Sequence, residues 1–197
     1  MAQSLTFDTL FEFEDRIAEY TGAPYAVVTD GCTHAIELCM RYDEIASTQF
    51  TAFTYLSVPM LMHRLGIGYT LTNSKWSGEY QFAHTRIWDS ARRLEHNMYR
   101  AGQLQCLSFG PTKPLEIGRC GAVLTDDFRV YQTLSRWRSD GRDLRIAPWQ
   151  DQKHFEVGYH YCPSLEICQV GLEKIKTVEP QCQTWQYPDC QTITIKN

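Results

Sequence analysis

No apolar run in this 197-residue chain approaches the ~20 residues that cross a bilayer, so no membrane-spanning helix is expected. The opening Met1-Ala2-Gln3-Ser4-Leu5-Thr6-Phe7-Asp8 lacks the basic flank and apolar stretch of a signal peptide, and a cytoplasmic protein is expected. The eight cysteines (Cys32, Cys39, Cys106, Cys120, Cys162, Cys168, Cys182, Cys190) include no Cys-x-x-Cys pair. That argues against a zinc site or a compact disulfide framework, so reduced thiols and no metal are expected. An excess of positive charge is missing too: the net charge of -4 gives no general attraction to nucleic acid. There is no internal repeat and no low-complexity tract. With 43% hydrophobic and 21% charged residues, one substantial core is expected, in a domain over residues 1–180 followed by a tail over 181–197.

What is present is an alternation of helical and extended patterns. Residues 8–21 read as an amphipathic helix with Leu10, Phe11, Ile17 and Tyr20 near one face, and Gly22 is placed to end it. Residues 25–29 form a β-rich run, followed by a turn at Asp30-Gly31-Cys32-Thr33 and a helical segment over 34–42. A helix start of this kind binds phosphate, because its first N–H groups are unpaired and the helix dipole favours an anion; many such turns carry no ligand. The next unit begins at Phe50, with a helix over 56–65 that Gly66 closes, a strand over 67–71 and a loop over 73–78. Further strands are expected at 86–89, 105–109 and 121–125, and a helix at 127–138. Strands alternating with helices predict an α/β fold with helices on both faces of the sheet.

Between two of the extended runs lies Cys106-Leu107-Ser108-Phe109-Gly110-Pro111-Thr112-Lys113-Pro114-Leu115, which puts one lysine in a connecting loop. Most lysines are solvated surface charges. A lysine held beneath a bound aldehyde instead forms a Schiff base through its neutral amine, and pyridoxal phosphate (PLP) is the cofactor that uses this chemistry. Basic residues cluster at Arg92-Arg93 and at Arg136, Arg138, Arg142 and Arg145; each cluster either faces an anionic substrate or is a solvated face.

Several ordered motifs resemble one family. Phe13-Glu14-Asp15-Arg16-Ile17-Ala18-Glu19-Tyr20-Thr21-Gly22 with Tyr25-Ala26-Val27 is similar to its opening helix and strand. Gly31-Cys32-Thr33 stands where it has Ser-Gly-Thr or Ser-Cys-Thr, and Ala52-Phe53-Thr54-Tyr55 where it has an aromatic after Phe-Thr. Asp89-Ser90-Ala91-Arg92 resembles its Asp-Ala-Ala-Gln, and Ser108-Phe109 through Lys113 its Ser-Phe-x-x-x-Lys. Over residues 11–178 the chain thus resembles the sugar aminotransferases of the DegT/DnrJ/EryC1/StrS family. These have the aspartate-aminotransferase fold (fold type I) of PLP enzymes. The resemblance implies the large domain of that fold, a mixed and mostly parallel sheet.

It also implies roles. Lys113 would hold the cofactor as a Schiff base and then move protons. Asp89 would pair with the pyridine nitrogen and keep it protonated; its plainer role is a strand-end cap. Tyr55 would stack on the ring, or else be an ordinary core aromatic. Cys32, Thr33 with the amide of His34, and Ser108 would hold the phosphate, while the His34 side chain either reaches the site or caps the turn. Gly158-Tyr159-His160-Tyr161-Cys162 resembles the family's Gly-Tyr-Asn-Tyr-Arg. His160 would there reach the cofactor phosphate of a neighbouring subunit, in a homodimer with shared active sites.

Three departures bear on the reaction. The chain stops soon after a helix over 165–178, where the family continues into a small domain. The stretch between Gly66 and Asp89 is shorter than in the family. Arg92 replaces the glutamine after the aspartate, and Arg119 the glutamate of Gly-Glu-Gly-Gly. Arg92 is placed to meet a carboxylate or phosphate. The first expectation is a PLP-dependent aminotransferase acting on a keto group of a nucleotide-linked sugar or similar acceptor, with a small-molecule amino donor. The second is PLP-dependent decarboxylation or other Cα chemistry on an amino acid, one attached to a nucleotide or nucleic acid included. The third is a non-catalytic remnant of the fold.

Overall fold

The computed structural model describes residues 5–195. Residues 1–4, part of the segment searched for a signal peptide, and residues 196–197 of the expected tail lie outside the described residues. No helix among the described residues is long and apolar enough to cross a membrane.

Helix α1 (Phe7–Thr21) starts where Thr6 accepts the Asp8 N–H and ends at Gly22, whose φ of 73° is the left-handed closing conformation glycine adopts without strain. Leu10, Phe13 and Ile17, spaced on one face, are fully buried. Strand β1 (Tyr25–Thr29) leads through Gly31 into α2 (Cys32–Tyr42), and β2 (Ser47–Thr51) into α3 (Ser57–Leu65). Then follow β3 (Gly68–Thr72), β4 (Tyr80–Gln81), β5 (Ile87–Asp89), β6 (Arg93–Leu94), β7 (Leu104–Ser108) and β8 (Gly121–Thr125). Helix α4 (Phe128–Trp137) starts on Asp127, which accepts the N–H groups of Arg129 and Val130, and α5 (Leu165–Lys174) starts on Ser164. A last short strand is β9 (Gln181–Cys182).

The main sheet has the order β1-β8-β7-β5-β4. Its alternation divides the protein into two cores. Ala26, Val28, Leu107, Ala122 and Leu124 face α1 and α5, whereas Val27, Cys106 and Val123 face α2, α3 and α4. The expected α/β layering, with helices on both faces of a mixed sheet, is observed. The expectation of a mostly parallel sheet needs correction: β5 and β7 pair in parallel, but β1–β8, β8–β7 and β4–β5 pair antiparallel. For β4–β5 the short turn over 82–86 dictates this, since a parallel return needs a longer crossover. Strands β2 and β3 form a separate parallel pair, docked on the main body where Ala83 N–H donates to Gln49 O at 2.8 Å.

Some boundaries also move. The unit expected to begin at Phe50 begins with β2 at Ser47, and the last helix ends at Lys174 instead of running to 178. Residues 181–192 run back over the body. β9 pairs antiparallel with β6, Gly78 N–H donates to Gln183 O, and Cys190 N–H donates to Ala52 O. Gly78, at φ 72°, permits this approach, because a Cβ there would lie 2.5 Å from Cys182 Sγ.

Strands β1, β5 and β7 point the same way, both β1 and β7 being antiparallel to β8. Thr29, Asp89 and Ser108 therefore end their strands on one edge of the sheet. That is where α/β proteins form their ligand crevices.

Candidate active site

A cavity of about 890 Å³ opens at this edge, lined by Cys32, Thr33, His34, Tyr55, Asp89, Arg92, Ser108 and Lys113. Eight of the nine residues singled out in the sequence thus meet around one space. The ninth, His160, does not line it: its side chain is 90% exposed and its Nδ1 lies 3.1 Å from Asp140 Oδ1.

Asp89, buried at the end of β5, accepts the Tyr80 hydroxyl on Oδ2 at 2.9 Å and the Ala91 N–H on Oδ1 at 3.0 Å. Tyr80 has one proton and gives it to Asp89, so the Thr54 hydroxyl, 2.7 Å away, donates to Tyr80. Burial pushes the Asp89 carboxyl above the ordinary carboxylate range, while the Lys113 charge and the Tyr80 hydrogen bond pull it back down. Burial, with Asp89 beside it, holds the Tyr80 phenol well above its usual value.

Lys113 lies in the β7–β8 loop, half-buried, and its Nζ donates to Tyr187 Oη at 3.1 Å. Ser108, at the end of β7, makes no side-chain hydrogen bond among the described residues. At the start of α2, Thr33 Oγ1 and Ser57 Oγ are 2.6 Å apart, and the N–H groups of Cys32 and Thr33 have no backbone acceptor. The helix reaches the sheet edge because Gly121 has no side chain: a Cβ there would lie 2.5 Å from Cys32 N. The Cys32 thiol turns inward, 3.7 Å from Cys106 O, and burial together with Asp89 raises it well above its usual value. It is therefore a neutral thiol and no nucleophile.

The His34 side chain takes the turn-capping one of its two expected placements. The His34 N–H donates to Gly31 O at 3.1 Å, and its ring pairs with Asp30 and stacks on Tyr161 at 3.7 Å. The expected amide contact is therefore already used inside the first turn of α2, and the side chain braces the turn. Tyr55 is 63% exposed at the cavity mouth, not a core aromatic.

Arg92, 2% exposed, is a buried cation without a carboxylate partner among the described residues. Its Nη1 donates to Thr112 O at 2.6 Å and to Gln183 Oε1 at 3.1 Å, and its Nε to Tyr187 Oη at 3.2 Å. Trp185 covers its guanidinium at 3.8 Å.

The sequence reading missed Thr54, Ser57, Trp76, Tyr80, Trp185 and Tyr187. Thr54 and Ser57 flank Tyr55 and were within reach of the motif. The four aromatics carry no spacing that separates them from core residues.

A model of the DegT/DnrJ/EryC1/StrS aminotransferase family matches residues 3–69 and 90–186, leaving residues 70–89, Asp89 among them, outside the match. No curated protein matches the chain in sequence. Among solved structures, AtS13 from Actinomadura melliaura superposes with a TM-score of 0.73 at 15% identity, over 88% of this chain and 61% of that one. 3-Amino-5-hydroxybenzoic acid synthase superposes at 0.71 and 18% identity, over 87% and 56%. The PLP form of a Streptococcus pneumoniae protein named as a sugar aminotransferase superposes at 0.65 and 15% identity, over 90% and 61%. At these identities the likeness shows the shared fold. This chain spans 56–61% of the length of those three.

Proposed function

The chain belongs to the DegT/DnrJ/EryC1/StrS aminotransferase family, and from that we propose that it is a PLP-dependent aminotransferase whose reactive amine is Lys113. The observation that carries the reading is the meeting of Lys113 and the buried Asp89 on one cavity at the carboxyl edge of the sheet.

The donor set suits the cofactor. Asp89 is a buried carboxylate with no cation bonded to it, suited to a protonated pyridine nitrogen. The unpaired N–H groups of Cys32 and Thr33, with the hydroxyls of Thr33, Ser57 and Ser108, suit a phosphate. When bound, PLP supplies an electron sink that labilises bonds at the substrate Cα. Asp89, held by Tyr80 and the Ala91 N–H, would keep the pyridine nitrogen protonated, and a cation beside it would offset the burial that otherwise favours its neutral form. Lys113 would hold the cofactor through its amine, and the same amine would serve as the base for the substrate Cα proton. Tyr55, at the mouth, would cover the ring face.

In this reading the amino donor is a small molecule such as glutamate, and the acceptor carries a keto group on a nucleotide-linked sugar or similar compound. Support comes from the family and from the sugar aminotransferase among the structural neighbours. The exposed His160, outside its own cavity, is read as the residue offered to a second subunit of a homodimer with shared sites. The eight cysteines are all free, which suits a cytoplasmic enzyme.

The test is the absorbance spectrum of the protein titrated with PLP, repeated for Lys113→Ala, followed by pyridoxamine phosphate formation from labelled glutamate. Covalent uptake by wild type alone, with amino transfer, is expected. Uptake that does not depend on Lys113 sinks the assignment, and uptake without transfer from any common donor turns the reading to other Cα chemistry.

A further inference from the structure

We propose that Tyr187 positions the Lys113 amine, and that residues 181–192 are thereby a working part of the site. The proposal rests on the reading of Lys113 as the reactive amine.

Tyr187 is fixed from several sides. Its ring lies parallel to Trp76, with centroids 5.9 Å apart and planes 10° apart, and it meets Tyr55 edge-on at 6.4 Å. The segment that carries it is tied down on both sides, by β9 on β6 and by Cys190 on Ala52. Two cationic groups converge on its one oxygen, Lys113 Nζ at 3.1 Å and Arg92 Nε at 3.2 Å.

The same arginine grips the loop behind the lysine. Arg92 Nη1 donates to the carbonyl of Thr112, the residue before Lys113. Thr112 has φ 67°, a left-handed conformation that a β-branched residue holds only when its surroundings impose it. One buried guanidinium thus fixes both the backbone at the root of Lys113 and the phenol at its tip. Without those ties, a four-carbon ammonium side chain in a wide cavity would sample several rotamers. With them, Nζ is held in one place before any cofactor arrives, and the entropy of ordering it is already spent.

The experiment follows acetylation of individual lysines by limiting acetic anhydride in the cofactor-free protein, read by peptide mass spectrometry across pH, with exposed Lys153 as internal reference. Uptake of PLP is measured in parallel as borohydride-fixed cofactor on residue 113. In Tyr187→Phe, which keeps the ring packing, Lys113 loses a charge-assisted hydrogen bond. Its acetylation relative to Lys153 is expected to rise about fivefold, while PLP attachment slows by a similar factor because the amine is no longer aimed. A merely structural role would shift the melting temperature without separating these two rates. Unchanged Lys113 acetylation, or faster acetylation with unchanged PLP attachment, overturns the proposal and leaves the cofactor assignment standing. Wild-type protein that never attaches PLP instead removes the reading on which the proposal rests. Should Tyr187→Phe fail to fold, Arg92→Lys keeps the charge but cannot bridge Tyr187 and Thr112, and the same pair of opposite changes is expected.

Discussion

Tyr80 and Asp89 stand directly opposite each other in the β4–β5 ladder, and the phenol donates to the carboxylate at 2.9 Å. The pairing makes a two-residue strand into a site element. β4 turns Tyr80 inward at the one position from which it reaches the acid at the end of β5, and Thr54 completes the chain of donors.

Asp89→Asn is expected to stabilise the cofactor-free protein and to abolish its response to PLP. Burial lifts the Asp89 carboxyl above its ordinary value of 3.8, so the native state binds this proton more tightly than the unfolded chain does. The stability it contributes is complete below pH 3.8 and is lost as pH rises through the raised native value. At pH 7 asparagine removes the buried charge, so the variant melts above wild type, by a margin that narrows as pH falls. PLP then raises the melting temperature of wild type only. A variant that melts below wild type at pH 7 contradicts this account.

Gly121→Ala should disturb the helix start at a proposed phosphate ligand, the Cys32 N–H, without changing any proposed ligand side chain. The new Cβ would meet Cys32 N at 2.5 Å and Gly31 C at 2.8 Å. These are backbone atoms that cannot swing aside, so α2 must shift at a cost of about 1–3 kcal/mol. Urea denaturation measures that loss. Competition between inorganic phosphate and PLP reports whether the anion site has opened, and an unchanged phosphate affinity would detach the α2 start from phosphate binding.

Glu14→Gln tests the other core. Arg138 and Glu14 are both almost fully buried and bonded to each other; Arg138 also donates to Val28 O, and Glu14 accepts the Val28 N–H at 2.8 Å. Glutamine keeps an acceptor for Val28 but leaves the arginine charge unmatched in the interior, a loss of about 3–5 kcal/mol. A shift of the urea midpoint corresponding to less than about 1 kcal/mol would mean that water reaches the pair, as it does at exposed bridges.

The long elements were legible because their periodicities are strong. Leu10 and Ile17 mark α1, Gly22 and Gly66 mark helix ends, and the ordered motifs put eight site residues around one cavity. The two-residue strands β4, β6 and β9 are too short for any period to register, so Tyr80 looked like any core aromatic. The contact between Lys113 and Tyr187 spans 74 residues, and nothing local in 181–192 signals that it folds back. In the first turn of α2 the His34 N–H tightens to an i to i−3 bond with Gly31 O, which local sequence does not encode.

Because β1, β7 and β8 send neighbouring side chains to opposite cores, the sheet has no wet face along which the molecule could part. Stripping either helical layer would bare a row of aliphatic groups, leaving no half able to persist alone in solution. Heat should accordingly dismantle both layers in a single calorimetric transition, the van't Hoff and measured enthalpies agreeing.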